Sequence, residues 1–332
     1  MRIGILGAAR IARLFVDSVR PSTKVAVVAI AARDATRARA FAAELGIPRV
    51  HASYESLLAD PELDAIYNPL PNTLHAEWSI RALGAGKHVL CEKPLAMSSR
   101  DADAMFAAAR SSGRYLVEGY PYRAQPQTVK LRELLASGAI GTVQVVQASF
   151  GFPMRDLANI RYDPALGGGA LTDAGSYPVS LVRMIAGERP RRASALAQWS
   201  STGVDRALVG LIEFPGGLLA EVSCSFGTAR HRHAVIIGDA GMITTTFLND
   251  TSAALPPRIE VRRGTGYDSV RESIVTAEAN GFRAEADAFA DLVRHGWSRW
   301  PGATPEESAD TARILEALAT SARDCGAIDI AP

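Results

Sequence analysis

From Met1 to about Gly119 the chain alternates short, almost wholly apolar runs with Ala-rich stretches of helical periodicity, and few architectures accept that alternation. The apolar runs are Arg2 to Leu6, Val25 to Ala31, Ala65 to Asn68, His88 to Cys91 and Tyr115 to Glu118. The first four read as strands buried on both faces, as in a parallel sheet. Between them, residues 12–19, 35–45, 73–85 and 99–112 carry apolar side chains at helical spacing. Parallel strands need crossover connections, so this stretch predicts a doubly wound α/β domain. Past a helix at 127–137 the pattern changes. Val143 to Phe150, 206–214, 218–226 and two runs flanking Gly238 to Gly241 follow one another with turn signals such as Pro215-Gly216-Gly217. This predicts a C-terminal α+β domain with a large open, mostly antiparallel sheet. Helices at 282–294 and 305–326 close the chain. The expected division is therefore 1–120 and 121–332, with the final helix 305–326 free to pack back on the first domain. Leu, Val and Ile on the outer face of the second sheet predict a homodimer or homotetramer formed through it.

At 332 residues the chain exceeds one ordinary core, in keeping with two domains. Lys plus Arg number 36 against 35 for Asp plus Glu, so no summed field favours nucleic acid or an anionic membrane, and a small molecule is the expected partner. The basic clusters Arg191-Arg192, Arg230 to His233 and Arg262-Arg263 are short and read as solvated strand ends; His231 and His233 alternate on a strand and read as facing solvent. Cys91, Cys224 and Cys325 lie far apart, with no CxxC pair and no zinc-ligand spacing, which suggests a reducing compartment and no structural metal. No stretch approaches the roughly 20 apolar residues of a membrane span. Met1-Arg2 runs straight into Ile3-Gly4-Ile5-Leu6, without the regions of a signal peptide. The expected location is cytoplasmic.

Ile3 to Ala12 reads as a strand, a small-residue turn and a helix start, the arrangement that holds a dinucleotide pyrophosphate in Rossmann domains. Gly7 would make the turn, Ala8, Ala9, Arg10 and Ile11 would line it, and Ala12 would allow tight helix packing. The middle glycine of GxGxxG is Ala9 here, so the spacing alone is weak; its place at the head of a strand–turn–helix–strand unit carries the reading. The second strand ends Ala31-Ala32-Arg33-Asp34. An acidic residue there would bind the adenosine ribose hydroxyls, whereas an arginine pairs with a 2′-phosphate. Arg33 comes first, so NADP(H) is the preferred cofactor, with NAD(H) as the alternative. Asp34 reads as an N-cap for the helix 35–45.

Two further segments, Tyr67-Asn68-Pro69-Leu70-Pro71-Asn72-Thr73-Leu74-His75 and Ala85 to Ala96 with Glu92-Lys93-Pro94 within it, resemble nucleotide-side loops of the Gfo/Idh/MocA oxidoreductases. Gly167 to Pro178, containing Asp173 and Tyr177, resembles that family's other reactive segment. Tyr at the second of these positions is typical of the branch that includes glucose-fructose oxidoreductase, dimeric dihydrodiol dehydrogenase, NADP-linked xylose dehydrogenase and certain nucleotide-sugar ketoreductases. Glu118 to Pro126 and Asn159 to Pro164 also look like that branch. The resemblance implies that Leu70, Pro71, Asn72, His75, Glu92 and Lys93 contact cofactor, that Lys93 also contacts substrate, and that the Lys93–Pro94 peptide is cis. It further implies that Arg161, Asp173 and Tyr177 line the substrate, while Arg123 reads either as a contact to substrate or nicotinamide or as the partner of an Asp or Glu at the domain junction. Tyr120-Pro121 and Gln125 depart from the common pattern of relatives at positions near the substrate.

Hydride transfer to a carbonyl needs a proton source and positive charge for the developing alkoxide. Free tyrosine titrates near about 10 and an adjacent ammonium favours its phenolate, so Tyr177 is the expected acid/base, with Lys93 beside it, the two roles being exchangeable, and Asp173 orienting a hydroxyl or the lysine. Residues four apart on a helix share a face, which would project Asp173 and Tyr177 together. The expected activity is hydride transfer between nicotinamide and a sugar, sugar derivative or diol, in a direction the sequence does not set. The alternatives are reduction of a pathway-specific, nucleotide-linked keto-sugar and a sensor that binds nucleotide without turnover.

Overall fold

The computed structural model describes residues 1–330, which divide into two compact units. Unit 1 comprises Met1–Ala96, Arg100–Ala124 and Asn280–Pro305. Its strands are β1 (Arg2–Leu6), β2 (Ala26–Ala31), β3 (Arg49–His51), β4 (Ala65–Asn68), β5 (His88–Glu92) and β6 (Leu116–Gly119), and its helices include α1 (Arg10–Val19), α2 (Ala35–Leu45), α3 (Tyr54–Leu58), α4 (His75–Gly84) and α5 (Ser99–Ser112). The strands pair in parallel in the order β3-β2-β1-β4-β5-β6. The chain therefore reverses its direction of growth between β1 and β4, the place where doubly wound sheets take their ligands. β4 and β5 are buried along their whole length, as strands covered on both faces must be.

Unit 2 comprises Met97–Ser99, Gln125–Ala279 and Glu306–Pro332, of which residues up to Ile330 are described. After α6 (Pro126–Ala136) come β7 (Val143–Gly151), α7 (Ser176–Ala186), β8 (Arg192–Trp199), β9 (Asp205–Glu213), β10 (Leu219–Ser225), β11 (His231–Gly238), β12 (Gly241–Thr246), β13 (Arg258–Arg263) and β14 (Val270–Val275). The chain ends with α8 (Gly281–His295), α9 (Pro305–Asp324) and β15 (Ile328–Asp329). The sheet runs β14-β13-β12-β11-β7-β10-β9-β8-β15, and among the described residues every pairing is antiparallel except β7 with β10. One face is buried through Val146, Ala148, Leu208, Ile212, Ala220, Val222 and Ile236. The opposite face leaves Leu196, Val209, Leu211 and Leu219 more than half exposed.

The placement of the last two helices corrects the expectation that the final helix packs back on the first domain. It is α8 whose stripe of Phe282, Ala286, Phe289 and Ala290 enters the unit 1 core with Ile3, Phe15 and Tyr67. Helix α9 belongs to unit 2. Asp310, 1% exposed at its side chain, pairs with Arg183 of α7 at 2.8 Å, and Ser321 accepts from the backbone of Ala195 on β8 at 2.9 Å. Gly210 on β9 makes room for the helix, since a Cβ there would lie 2.5 Å from Leu318 Cδ2. A carboxylate buried this deeply is stable only beside its cation, so the Arg183–Asp310 pair decides which sheet α9 covers. No described helix is long and apolar enough to cross a membrane.

Candidate active site

In unit 1, the turn after β1 brings Gly7 to φ +89°, a left-handed conformation that favours glycine, and its N–H donates to Ala31 O of β2 at 2.7 Å. A Cβ on Gly7 would sit 3.1 Å from Leu70 Cδ2, so the glycine also lets the loop after β4 close over the turn. Ala9 is the N-cap of α1, makes no side-chain cap bond, and the first turn holds no acidic residue. The leading N–H groups of α1 are thus left for an anion, and Ala8 and Ala9 present no bulk to block one. Arg10 is exposed and Ile11 half-buried beside them. These features fit a dinucleotide pyrophosphate.

The end of β2 discriminates between cofactors. Asp34 caps α2, accepting from the backbone N–H groups of Thr36 and Arg37 at 2.8 and 3.1 Å, bonds that hold its carboxyl below the usual range. Arg33 is exposed ahead of it. Two neighbours were not foreseen from sequence. Arg37 Nη2 reaches back to Ala8 O at 2.9 Å, putting a second guanidinium beside the turn. Tyr54, whose phenol burial raises and the Arg33 charge and backbone N–H lower, lies against the same strand end.

The loops after β4 and β5 carry the other nucleotide-side candidates. Asn68 ties its own loop together, donating to His75 O at 3.2 Å and Ser79 Oγ at 3.0 Å. Leu70 is buried, with Pro71 and Asn72 half-buried around it. His75, expected among the cofactor contacts, is instead wholly buried, its ring nitrogens 2.8 Å from Pro94 O and Leu70 O. Burial draws its imidazole down to about 4 against the pull of the two carbonyls, with the Lys93 charge adding to the depression. A neutral ring in that position joins the Leu70 loop to the Lys93–Pro94 loop. The Lys93–Pro94 peptide is cis. Glu92 accepts from Tyr67 Oη at 2.6 Å and from the Lys93 backbone at 3.3 Å, while Glu118 on β6 accepts from Leu95 N at 2.8 Å. Burial, with the charges of Glu92 and Glu118, raises Glu285 of α8 well above the usual carboxyl range. Lys93 itself is half-buried above these anchored backbones. Arg123, which the sequence left between a ligand contact and an internal ion pair, has no exposed surface and is the largest fully buried side chain among the described residues. A guanidinium so placed needs partners inside unit 1 to offset its burial.

In unit 2, the helix bearing Asp173 and Tyr177 opens differently from the ordinary first turn the spacing suggested. Leu171–Gly175 is a π-helical turn feeding α7, a wide turn frequent at functional sites. Gly175 allows the close approach of β10, since a Cβ there would lie 3.0 Å from Cys224 Sγ. Asp205 of β9, which the sequence did not single out, anchors the turn by accepting from Leu171 N at 2.7 Å; burial raises its carboxyl. Arg161 and Asp173 are brought together as an ion pair at 2.6 Å, with side chains 37% and 17% exposed. Tyr177 is buried, 6% exposed; its Oη accepts from Asn249 Nδ2 at 2.9 Å and its ring lies edge-on to Phe150. The guanidinium of Arg232 stacks 3.9 Å from the centre of that ring. The Arg230–His233 cluster is therefore not simply a solvated strand end. His231, too, is half-buried, its ring nitrogens 2.8 Å from Ser149 Oγ and Ala229 O.

A doubly wound sheet with an anion-ready turn at its switch point, followed by an open antiparallel sheet, is the architecture of dinucleotide-binding oxidoreductases, and the family matches agree. Residues 1–120 match the model described as "Oxidoreductase family, NAD-binding Rossmann fold" and residues 128–244 match the GFO/IDH/MocA C-terminal domain. The chain belongs to the Gfo/Idh/MocA oxidoreductase family. It is 38% identical to D-xylose 1-dehydrogenase (NADP(+)) 2 of Haloferax volcanii over 99% of this chain and 100% of that protein. It is 35% identical to trans-1,2-dihydrobenzene-1,2-diol dehydrogenase of Mus musculus over 95% of each. Among solved structures it resembles KijD10, a 3-ketoreductase from Actinomadura kijaniata crystallised with NADP and TDP-benzene, at a TM-score of 0.87 and 30% identity over 97% of both chains. Structures of KijD10 also include variants with one tyrosine changed to phenylalanine and one lysine changed to alanine, 84 residues apart in that chain.

Proposed function

We propose that this oxidoreductase moves hydride between NADP(H), preferred over NAD(H), and a CH–OH or carbonyl group of a sugar, sugar derivative or diol, with Lys93 and Tyr177 as its catalytic pair. The observation that carries this reading is the setting of Tyr177, a buried phenol whose oxygen meets an amide N–H while a guanidinium covers its ring. Its placement matches the requirements of a group that gives and takes a proton. Lys93 and Tyr177 also stand 84 residues apart, the separation of the lysine and tyrosine varied in KijD10.

When bound, the nicotinamide supplies or accepts the hydride. Tyr177 donates its proton to the developing alkoxide, or removes one from the hydroxyl in the reverse direction. Lys93 holds the same oxygen and offsets its charge. Asp173, oriented by its ion pair with Arg161, accepts from a neighbouring substrate hydroxyl. On the nucleotide side Gly7, Ala8, Ala9, Arg10 and Ile11 would hold the pyrophosphate and Leu70, Pro71, Asn72 and Glu92 the nicotinamide half, with His75 joining the two loops. Unit 1 is the dinucleotide-binding body and unit 2 the substrate-binding body. The exposed Leu196, Val209, Leu211 and Leu219 face is assigned to a second copy of the chain. Sedimentation of a monomer at micromolar concentration would exclude that assignment.

Arg33 and Arg37 are the cations for a 2′-phosphate. Loss of one charge-assisted contact costs about 1.5–3 kcal/mol, so Arg33→Ala is expected to weaken NADPH about 10- to 100-fold and leave NADH nearly unchanged in a fluorescence titration. Equal losses for both nucleotides would remove Arg33 from 2′-phosphate recognition.

The reading as a whole is tested by following nicotinamide absorbance with NADP and NAD against aldoses, cyclitols and trans-diols, and with NADPH against keto-sugars. Turnover with an aldose or diol supports the dehydrogenase. Turnover confined to a nucleotide-linked keto-sugar, the class suggested by the likeness to a 3-ketoreductase, makes the chain a reductase of that pathway. Binding without turnover across the panel would favour a sensor.

A further inference from the structure

We propose that Arg232 and Asn249 are positioning residues that stabilise the deprotonated form of Tyr177 and so set the pH range over which it exchanges its proton. The inference rests on Tyr177 being the acid/base group. Arg232 comes from β11 and Asn249 from the segment after β12, so both reach Tyr177 from outside its own helix. The guanidinium carbon lies 3.9 Å from the centre of the Tyr177 ring and 4.9 Å from those of Phe150 and Phe247, an aromatic box that shields the cation from water. A cation over a ring whose negative charge is developing gains more from the phenolate than from the phenol.

The second contact follows from the first. Arg232 Nη2 donates to Asn249 Oδ1 at 3.2 Å, and a guanidinium has no acceptor, so the amide is held with its oxygen toward Arg232 and its NH2 toward the phenol. Asn249 Nδ2 then donates to Tyr177 Oη at 2.9 Å, a bond that strengthens when the oxygen carries charge. Gln125 fixes the segment from behind, its Nε2 donating to Asn249 O at 2.8 Å and Ala279 O at 2.9 Å. This gives a physical role to a residue at which the chain departs from its relatives' common pattern.

The other charged or titratable groups packed around the helix are differently committed. Asp173 is paired with Arg161, and Asp205 is pushed toward its neutral form by burial. Cys224 on β10 is kept a thiol by burial, Arg183 is paired with Asp310, and Arg132 of α6 bonds Met184 Sδ at 3.3 Å. His231 on β11 is held by Ser149 and Ala229.

The test is a difference titration of tyrosinate absorbance, each variant measured against the same protein carrying Tyr177→Phe, which isolates one phenol without needing a substrate. Arg232→Met and Asn249→Leu are each expected to move its midpoint up by about one pH unit, the size of a shielded cation–π or charge-assisted contact. Arg232→Lys should restore most of the shift, and Asn249→Asp, which faces the phenol with a carboxylate, should exceed it. The rising limb of kcat in the oxidative direction should move by the same amount. A midpoint unchanged in Arg232→Met and raised no further in Asn249→Asp would overturn the inference. Undiminished turnover in Tyr177→Phe alone would instead sink the catalytic reading on which it rests, so the two failures are separable. If Arg232→Met does not fold, Arg232→Lys and Asn249→Asp decide the matter.

Discussion

Tyr177→Phe is expected to lower turnover by about 10²- to 10⁴-fold while nucleotide affinity stays nearly unchanged. The substitution removes one oxygen and keeps the ring, so the contacts with Phe150 and the Arg232 guanidinium persist. Besides the Asn249 contact to the phenol oxygen, what is lost is proton transfer to or from the substrate oxygen, and the loss should fall on kcat and kcat/KM alike because that interaction matters chiefly in the transition state. Single-turnover absorbance separates this from slow product release. Unaltered turnover would take Tyr177 out of the mechanism.

Lys93→Met should cost about 10²- to 10³-fold in kcat/KM, the usual worth of one preorganised donor to a developing oxyanion. Methionine nearly preserves the length of the side chain, and the backbone on which Lys93 sits is fixed independently through Glu92, Tyr67 and Glu118, so the loop should keep its shape. A loss confined to KM, with kcat unchanged, would make Lys93 a binding group only. Comparable loss in Lys93→Arg would show that the compact ammonium is needed as well as its charge.

Much of unit 1 was legible because its strands are apolar throughout and short, with helical periods between them. What escaped were β3, three residues at the sheet edge, and α3, five residues long, both too brief to show a period. In unit 2, β14 is almost wholly exposed and carries polar side chains on both faces, leaving no alternation to read. The helices α8 and α9 show similar apolar stripes, and a stripe says that a helix is buried but not against which sheet. That choice is made by Phe282 and Phe289 on one side and by Asp310 and the gap at Gly210 on the other.

At the candidate site the glycine turn, the Glu92-Lys93-Pro94 segment and the Asp173–Tyr177 segment announce themselves as contiguous strings. Arg232 and Asn249 do not. Consecutive basic residues on a strand suggest contact with water, yet a guanidinium can be satisfied by ring faces from distant segments, and nothing local in the sequence reports that. His75 and Arg123 show the opposite case: polar residues inside recognisable loops suggest ligand contact, and nothing local in the sequence reports that both side chains are turned inward.

The entry of α8 into the first core bears on how the polypeptide is made. Residues up to Ala124 leave the ribosome without Phe282, Ala286 and Phe289, and Gln125–Ala279 must be synthesised before those side chains arrive. Until then the apolar surface that Phe15 and its neighbours present to α8 has no cover, and uncovered surface of that kind favours aggregation while the chain is incomplete. Its closing contacts span more than 260 positions of chain, as between Ser22 and Asp287, which weights its assembly toward late, slow, long-range steps.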